Sequence, residues 1–348
     1  MKTEYMVLSE PLGHDDLVSI EKAAAILRRG GLVVFPTETV YGLGGDATDP
    51  HAAEKIYAAK GRPSDNPLII HVASPEEAEE YAVTSPLYYR LAEAFMPGPL
   101  TVILPAKPTV PRTVTAGLPT VAVRCPAHPA ARMLCRMAGV PIAAPSANLS
   151  GSPSPTSAAH VRDDMEGRVD VILDGGDSDI GLESTIVKPE PDGSLILLRP
   201  GAITPEDLAA VATEVRIADA VLGAQKPGEP TLSPGLKFKH YAPQTPFSLL
   251  KGEREQIIRY LSGLGEKDAF FTYTEDLEAL SAVTAAALIP IGSHNEPSIL
   301  AHRLFRLLRE CDKAGYRALY ALLPEPRGLG LALYNRMIRA AAHTIITL

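Results

Sequence analysis

Short apolar runs, most of them closed by proline or glycine, most limit how this chain can fold. Runs such as Leu68–Val72 and Leu100–Leu104 are too short for helices and have the length of buried strands. They alternate with longer segments whose apolar residues recur at helical spacing, for example residues 17–29. This alternation predicts an α/β protein. The 32 prolines, which lie mostly in loops and at strand ends, favour a loop-rich enzyme over a helical bundle.

The length of the chain predicts two domains. A chain of 348 residues exceeds what one hydrophobic core usually supports. We expect a first domain at residues 1–212 and a long extended linker at residues 213–245, where Pro and Gly are frequent. Phe238 and Tyr241 favour docking of that linker over disorder. In residues 246–348 short strands alternate with helices, which predicts a smaller domain with a largely parallel sheet.

Charge, cysteine content and hydropathy exclude several classes of protein. The formal net charge is −8, and residues 1–212 carry 17 Lys and Arg against 27 Asp and Glu, so a broad basic surface is not expected. Three cysteines without a CxxC spacing argue against a disulfide framework or a zinc site. No apolar run reaches the ~18 residues that span a membrane, and residues 1–10 lack the apolar core of a signal peptide. We therefore expect a cytoplasmic protein without a membrane partner.

The stretch Lys60–Pro67 (KGRPSDNP) carries two cations two residues apart in a loop stiffened by two prolines. Lysine offers a point charge and arginine a planar fork, so a rigid loop that enters a core strand is suited to hold phosphate. An isolated K-x-R is more often a solvated surface turn, and this alternative stays open for the stretch taken alone.

Polar residues at two other strand ends suggest ligand contacts. Thr120 and Arg124 share one face of a predicted core strand, and a buried arginine needs an anion, either a ligand or a nearby glutamate. Ser146 and Asn148 alternate where a strand enters a Ser/Pro loop, so both can face one ligand. No G-x-S-x-G motif is present, which favours serine as a hydrogen-bond donor over serine as a nucleophile.

The segment after the strand at residues 32–35 is rich in hydroxyl groups and then in glycine. Thr37 and Thr39 alternate around Glu38, so both hydroxyls can face one side of an extended segment. Residues 42–46 (GLGGD) are interpreted as a glycine-rich turn through which the backbone can approach a ligand closely. Neither a Walker A loop nor a dinucleotide fingerprint is present, so this segment alone does not identify a ligand.

Seven unusual segments follow one another in this order: 36–47 (PTETVYGLGGDA), 60–68 (KGRPSDNPL), 96–104 (MPGPLTVIL), 120–128 (TVAVRCPAH), 144–156 (APSANLSGSPSPT), 183–187 (ESTIV) and 197–201 (LLRPG). Together they closely resemble the YrdC-like family, the L-threonylcarbamoyl-AMP synthases. Its K-x-R and S-x-N signature pairs stand here as Lys60/Arg62 and Ser146/Asn148. The segment 233–243 (SPGLKFKHYAP) and the trailing α/β domain resemble the longer, two-domain branch of that family.

The resemblance implies a fold and a reaction. The fold is α/β: a twisted mixed-sheet YrdC-like domain with an ATP/threonine cavity, a long linker or lid, and a smaller C-terminal Rossmann-like α/β domain. The expected enzyme is a nucleotidyltransferase that condenses L-threonine, bicarbonate or CO2, and ATP to threonylcarbamoyl-AMP plus pyrophosphate, the first step of tRNA t6A modification. Mg²⁺ is expected with ATP, without named protein ligands. The t6A transferase machinery would accept the intermediate, and a weak contact with tRNA is a further expected partner.

The resemblance also assigns site residues. Four are expected to be catalytic: Lys60, Arg62, Ser146 and Asn148. The residues expected to bind ATP are Lys60, Arg62, Asn66, Thr120, Ser146, Asn148, Ser154, Arg199 and Tyr241. The residues expected to bind L-threonine are Thr39, His71, Arg124, Ala144 and Ser184. Arg124 would clamp the amino-acid carboxylate, and the contact of Tyr241 implies a linker that folds back as a water-excluding lid. For His71 a buried structural role is the alternative.

Two other functions compete with the synthase. An RNA-binding module would show a strong, salt-sensitive affinity for tRNA. A carbamoyl-adenylate enzyme of the hydrogenase-maturation type would start from carbamoyl phosphate, but such proteins usually carry zinc-finger-like modules, and this chain has no CxxC.

Overall fold

The computed structural model describes residues 2–223 and 241–348, which fall into two compact units. Of the described residues, the first unit holds 2–150 and 154–223, and the second holds 151–153 and 241–348. Each unit combines a β-sheet with helices, which confirms the predicted α/β class. Most of the predicted linker, residues 224–240, lies outside the described residues, and the predicted domain limits stay predictions.

The first unit is built on one mixed sheet. Its strands in the described residues are β1 (Glu4–Val7), β2 (Val33–Phe35), β3 (Gly42–Asp46), β4 (Ile69–His71), β5 (Leu100–Pro105), β6 (Thr120–Arg124), β7 (Ile142–Ala144), β8 (Val171–Asp174), β9 (Thr185–Pro189), β10 (Leu195–Arg199) and β11 (Val215–Ile217). They lie in the order β1-β8-β2-β3-β7-β4-β6-β5-β9-β10-β11, with both parallel and antiparallel neighbours.

Eight described α-helices accompany this sheet: α1 (His14–Arg28), α2 (Pro50–Lys60), α3 (Ala78–Tyr81), α4 (Pro86–Phe95), α5 (Pro129–Ala138), α6 (Ala158–Met165), α7 (Pro205–Ala209) and α8 (Asp219–Leu222). Helices α1 and α5 pack against each other over a buried apolar cluster that includes Ile20, Leu27, Phe35, Leu134 and Leu173. Burial of each such side chain contributes about 1.5–3 kcal/mol, so this cluster is a main source of stability for the unit.

Helix α2 has strong local signals at both ends. The side chain of Asp49 accepts a hydrogen bond from the backbone N–H of His51, and Pro50 occupies the first helical turn. At the other end Gly61 adopts the left-handed conformation (φ 61°), which ends the helix directly after Lys60. The chain therefore delivers Lys60 at a fixed helix terminus.

The glycine-rich turn predicted at residues 42–46 is wrong, because this segment is strand β3. It pairs antiparallel with β2, with Phe35 opposite Gly42 and Val33 opposite Gly44. A Cβ atom on Gly42 or Gly44 would lie 2.8 or 2.9 Å from the Phe35 ring. The glycines therefore make room for a core aromatic ring inside a strand rather than supply a turn.

The range predicted as linker begins with ordered structure of the first unit. Strand β11 pairs in parallel with β10, and α8 follows it. Pairing at this edge satisfies backbone groups of β10 that the sheet would otherwise leave open. The prediction of extended linker from residue 213 is therefore wrong for residues 215–222.

The second unit carries a fully parallel sheet. Its strands are β12 (Phe247–Lys251), β13 (Asp268–Thr272), β14 (Ala287–Pro290), β15 (Ala318–Leu322) and β16 (Ile345–Thr347). They lie in the order β14-β13-β15-β12-β16, and each pair of neighbours is parallel. The helices that connect them are α9 (Arg254–Leu261), α10 (Leu277–Ser281), α11 (Pro297–Ala314) and α12 (Leu329–Ala340). This arrangement confirms the smaller Rossmann-like domain, although β16 was not predicted.

A helix that crosses a membrane must be both long and predominantly apolar. Within residues 2–223 and 241–348, none combines the necessary length with the necessary apolar character.

Candidate active site

Three neighbouring strands of the large sheet place polar side chains side by side. His71 on β4 lies opposite Arg124 on β6, and Arg124 lies opposite Thr101 on β5. Residues directly opposite each other in a sheet point to the same face, so these three side chains share one face. All three are buried. Buried polar groups need partners, which makes this row the base of the candidate site.

Arg124 forms a buried ion pair with Glu38. Its Nη2 donates to Oε1 of Glu38 at 2.6 Å, and the two side chains are 5% and 8% exposed. The other carboxylate oxygen of Glu38 accepts hydrogen bonds from the backbone N–H groups of Ala127 at 3.1 Å and His128 at 3.4 Å. The Nε–H of Arg124 has no hydrogen-bond partner among the described residues. Glu38 therefore fixes the guanidinium, and part of its fork remains available for an anionic ligand.

Burial and pairing act in opposite directions on Glu38. Burial raises the pKa of its carboxyl group, but the charge of Arg124 and the donated hydrogen bonds outweigh this effect and hold that pKa below its ordinary value. Glu38 is therefore ionised at neutral pH. The sequence named a nearby glutamate as one partner for Arg124 without identifying it, and Glu38 was not among the predicted site residues.

A chain of hydroxyl and guanidinium groups extends the row. The hydroxyls of Thr101 and Ser184 are 2.7 Å apart. Arg199 donates from Nη2 to Oγ of Ser184 and from Nε to its carbonyl oxygen, each at 3.0 Å. The structure thus brings the predicted residues Arg124, Ser184 and Arg199 together through Thr101, which the sequence did not single out. The signal available in the sequence was a single hydroxyl inside the otherwise apolar run at residues 100–104.

The K-x-R and S-x-N pairs also come together. Nζ of Lys60 donates to the carbonyl oxygens of Ser146 at 2.5 Å and Asn148 at 2.6 Å. Oγ of Ser146 donates to Oδ1 of Asn148 at 2.5 Å, so the two alternating side chains face each other. Lys60 is only 4% exposed. The solvated-turn interpretation of this stretch is therefore wrong for Lys60, whose ammonium group lies inside the protein.

Asn66 is the buried group whose geometry most favours a ligand. It is fully buried, and neither Oδ1 nor Nδ2 has a hydrogen-bond partner among the described residues. By contrast, its backbone carbonyl oxygen accepts hydrogen bonds from Arg62 Nη2 and from the hydroxyl of Tyr57, each at 3.0 Å. A buried polar group without a partner costs about 1–3 kcal/mol. A bound ligand that pairs with this amide would recover that free energy.

The remaining predicted residues occupy different positions. Thr120 is half-buried at the start of β6, and Ala144 ends β7 opposite Ile69. Ser154 and Thr39 are both buried. The hydroxyl of Ser154 donates to Glu183 Oε1 at 2.5 Å, and that of Thr39 lies 2.9 Å from the hydroxyl of Thr37.

Tyr241 belongs to the second unit. Its ring packs 5.2 Å from the ring of Phe305, and the Arg336 guanidinium lies 5.6 Å from its centre. Its backbone has φ 63°, which is unusual for a residue with a side chain. The predicted contact of Tyr241 with ATP stays a prediction.

His71 is held as a neutral ring. Its Nδ1 lies 3.2 Å from the carbonyl oxygen of Ile69 and 3.3 Å from that of Ile142, so Nδ1 carries the hydrogen and Nε2 is left as an acceptor. Burial, reinforced by the charge of Arg124, lowers the pKa of His71 to about 3. His71 is therefore suited to accept a hydrogen bond from a ligand and is too weak a base to remove a proton at neutral pH.

We expect this neutral histidine to make stability depend on pH. The unfolded side chain binds a proton below about pH 6.5 and the folded one only near pH 3, so stability falls as the pH drops through this window. For this residue alone the loss between pH 7.5 and pH 5.0 is roughly 2 kcal/mol. In urea unfolding the deficit of His71→Gln relative to wild type should shrink by that amount at pH 5.0.

A matched control is His51→Gln, because the side chain of His51 is 77% exposed. A deficit of His71→Gln that stays constant from pH 7.5 to pH 5.0 would contradict a neutral buried His71.

Neither a protein metal cluster nor a reactive thiol is found in the described part of the chain. No three His, Cys, Asp or Glu side chains in residues 2–223 and 241–348 are grouped so as to hold a metal ion. The three cysteines are free and buried, and burial raises the pKa of each thiol. The site therefore offers hydrogen bonds and fixed charges rather than a covalent nucleophile.

Comparisons with known proteins cover nearly the whole chain. The family described as Telomere recombination matches residues 25–201, and the one described as Threonylcarbamoyl-AMP synthase, C-terminal domain, matches residues 203–342. The threonylcarbamoyl-AMP synthase of Pyrococcus abyssi is 43% identical over 94% of this chain and 95% of its own length. That of Bacillus subtilis is 41% identical over 99% of this chain and 100% of its own length.

A solved structure gives the same picture. The crystal structure of P. abyssi Sua5 complexed with L-threonine matches with a TM-score of 0.88 at 40% identity, and the match covers 99% of this chain and 100% of that one.

Proposed function

The chain belongs to the two-domain Sua5 family of threonylcarbamoyl-AMP synthases, and on that basis we propose that it condenses L-threonine, bicarbonate or CO2, and ATP to threonylcarbamoyl-AMP and pyrophosphate. The single observation that carries this function is identity above 40% over nearly the full length of two relatives that bear that name. The enzyme is therefore a nucleotidyltransferase.

The reaction has two bond-forming steps. The neutral threonine amine first attacks the carbon of CO2 and its nitrogen loses a proton to give an N-carboxylate; with bicarbonate the same attack releases water. An oxygen of this carboxylate then attacks the α-phosphorus of ATP, the bond between that phosphorus and the bridging oxygen breaks, and pyrophosphate leaves. Neither step needs a covalent enzyme intermediate, so positioning and charge neutralisation supply most of the acceleration. The buried high-pKa thiols and the absence of a nucleophile elbow are consistent with this chemistry.

We assign L-threonine to the row on the large sheet. Arg124, fixed by Glu38, presents its Nε–H to the amino-acid carboxylate. His71 offers the Nε2 acceptor of a neutral ring, and Ser184 offers a hydroxyl held by Thr101 and Arg199. Thr39 and the backbone of Ala144 complete the proposed set.

We assign ATP to the cluster around Lys60. The ammonium group of Lys60, held by the carbonyls of Ser146 and Asn148, brings positive charge to the phosphates, and the side-chain amide of Asn66 supplies a donor and an acceptor. The other proposed ATP contacts are Arg62, Thr120, Ser154, Arg199 and Tyr241. Mg²⁺ is proposed to enter as part of the MgATP substrate, held mainly by the phosphates.

We further propose that the product feeds tRNA t6A modification in the cytoplasm. A carbamoyl-adenylate is a reactive mixed anhydride, so transfer to the t6A machinery should follow closely on synthesis. Any contact with tRNA is expected to be weak, because residues 1–212 carry an excess of negative charge. Tight and salt-sensitive tRNA binding would instead favour the RNA-binding alternative.

The experiment that tests the function traces the bicarbonate carbon into the product. The enzyme is incubated with ATP, L-threonine and ¹⁴C-bicarbonate, and the nucleotides are separated by chromatography. We expect a new labelled adenylate that also incorporates tritiated threonine. A labelled adenylate that forms from ¹⁴C-carbamoyl phosphate without threonine would favour the hydrogenase-maturation chemistry, and no labelled adenylate at all would contradict both.

A further inference from the structure

The second unit contains a cavity that the proposed reaction does not use. It has a volume of about 210 Å³ and lies between helices α9 and α10, beside the end of β13. Such a cavity accommodates a molecule of roughly ten non-hydrogen atoms. The cavity is therefore too small for a nucleotide.

The position of this cavity in the sheet is one where α/β proteins bind ligands. Strand β13 continues through α10 to β14 on one side, whereas its neighbour β15 continues through α12 to β16 on the other side. After β13 and after its parallel neighbour β15 the chain thus proceeds to opposite sides of the sheet. In open α/β sheets, ligands bind outside the carboxyl ends of the strands at such a point. Thr272 and Leu322, which are the last residues of these two strands, both line the cavity.

The interior of the cavity is apolar. Its lining includes Ile257, Ile258 and Leu261 from α9, Phe270 from β13 and Leu280 from α10. These residues are members or neighbours of the apolar core cluster of the unit. An occupant would therefore place an aliphatic or aromatic group inside.

The mouth of the cavity is charged and ordered by hydrogen bonds. Asp276 accepts from Arg254 Nη1 at 3.2 Å on one oxygen and lies 2.8 Å from Nε2 of His294 on the other. The His294 ring stacks on Tyr273 at 3.8 Å. The side chain of Asp276 is 17% exposed, whereas that of Arg254 is 70% exposed. A fixed carboxylate and an accessible guanidinium thus stand side by side above an apolar interior.

We propose that this cavity binds an α-amino acid with an apolar side chain, as a second ligand site separate from the reaction. The α-carboxylate would pair with Arg254, the α-ammonium group with Asp276, and the side chain would fill the apolar interior. Both charges are needed to match the mouth, and an apolar side chain is needed to match the interior. Such a ligand joins α9, the turn at residues 274–276 and the loop at His294, so it would stabilise the second unit.

The test uses the full-length chain and isothermal titration calorimetry. The probes are L-leucine, 4-methylpentanoate, which lacks the amine, and 3-methylbutylamine, which lacks the carboxylate. We expect L-leucine to bind and each of the other two to bind roughly tenfold more weakly or worse. Saturating L-threonine should not displace L-leucine. This last result keeps the site distinct from the proposed active site, so either proposal can fail alone.

Variants of exposed residues locate the binding. Arg254→Gln should weaken L-leucine roughly tenfold or more, whereas Arg259→Gln, an exposed arginine on the same helix that does not line the cavity, should leave it unchanged. No binding of L-leucine at about 10 mM, equal binding of the acid without its amine, or a loss caused by Arg259→Gln rather than Arg254→Gln would overturn the proposal.

Discussion

Arg124→Gln is expected to lower kcat/KM for L-threonine by roughly two to three orders of magnitude, the largest loss among the threonine residues. Truncating one member of a buried charge pair costs about 2–5 kcal/mol. This cost equals about 1.5–3.7 orders of magnitude in rate, a range that includes the expected loss. Two effects combine: the amino-acid carboxylate loses its guanidinium, and the buried carboxylate of Glu38 loses its counter-charge. Steady-state pyrophosphate release at varied L-threonine measures the loss.

A double variant separates these two effects. Glu38→Gln/Arg124→Gln removes both charges, so it should recover much of the stability that Arg124→Gln loses, since no uncompensated buried charge remains. It should not recover the use of threonine. Arg136→Gln, at an exposed position on α5, serves as the control and should stay near wild type. A double variant with wild-type KM for threonine would contradict the role given to Arg124.

Lys60→Gln should lower kcat/KM for ATP by about 10²–10³-fold, the scale found when one fixed donor to a developing negative charge is removed. The ammonium group is buried and held by two carbonyl oxygens, so its charge is in place before ATP binds. Lys60→Arg should not restore activity, because a planar fork does not fit a site shaped around a compact ammonium group. Initial rates at varied ATP measure both variants.

The control for this prediction lies on the same helix. Lys55 is exposed, and its ammonium group donates to the carbonyl oxygen of Gly30 rather than to the Ser146–Asn148 loop. Lys55→Gln should therefore leave the ATP dependence unchanged. The assignment of Lys60 to ATP would be refuted by a Lys60→Gln variant that is folded, binds L-threonine normally and keeps the wild-type KM and kcat for ATP.

Features with local causes could be predicted from the sequence. Helix α2 has its start signals at Asp49 and Pro50 and its end signal at Gly61, so the position of Lys60 followed from neighbouring residues. The hairpin of β9 and β10 followed from two apolar runs around a Pro-Asp-Gly turn, and the two strands do pair antiparallel. The alternation of strands and helices after residue 246 likewise led to the parallel sheet of the second unit.

Features that depend on distant residues could not be predicted. Arg124 meets Glu38 across 86 residues. Glu38 lies in the loop between β2 and β3, so only the folding of that loop against the sheet brings this acid to the arginine. Strand β3 was predicted as a turn because it is rich in glycine. Its glycines leave space for the Phe35 ring, and the spacing of glycines in the sequence does not reveal this packing. In the second unit, Asp276 is 22 residues from Arg254 and 18 residues from His294 in the sequence. No local sequence motif therefore predicts that these three side chains lie together.

The most direct test of the central claim is pyrophosphate release from MgATP by the full-length chain, with L-threonine and bicarbonate each present or omitted. If the first unit is a threonylcarbamoyl-AMP synthase site, release requires both co-substrates, and L-serine is a poorer substitute for L-threonine. Release that proceeds at the same rate without L-threonine would contradict the proposed function.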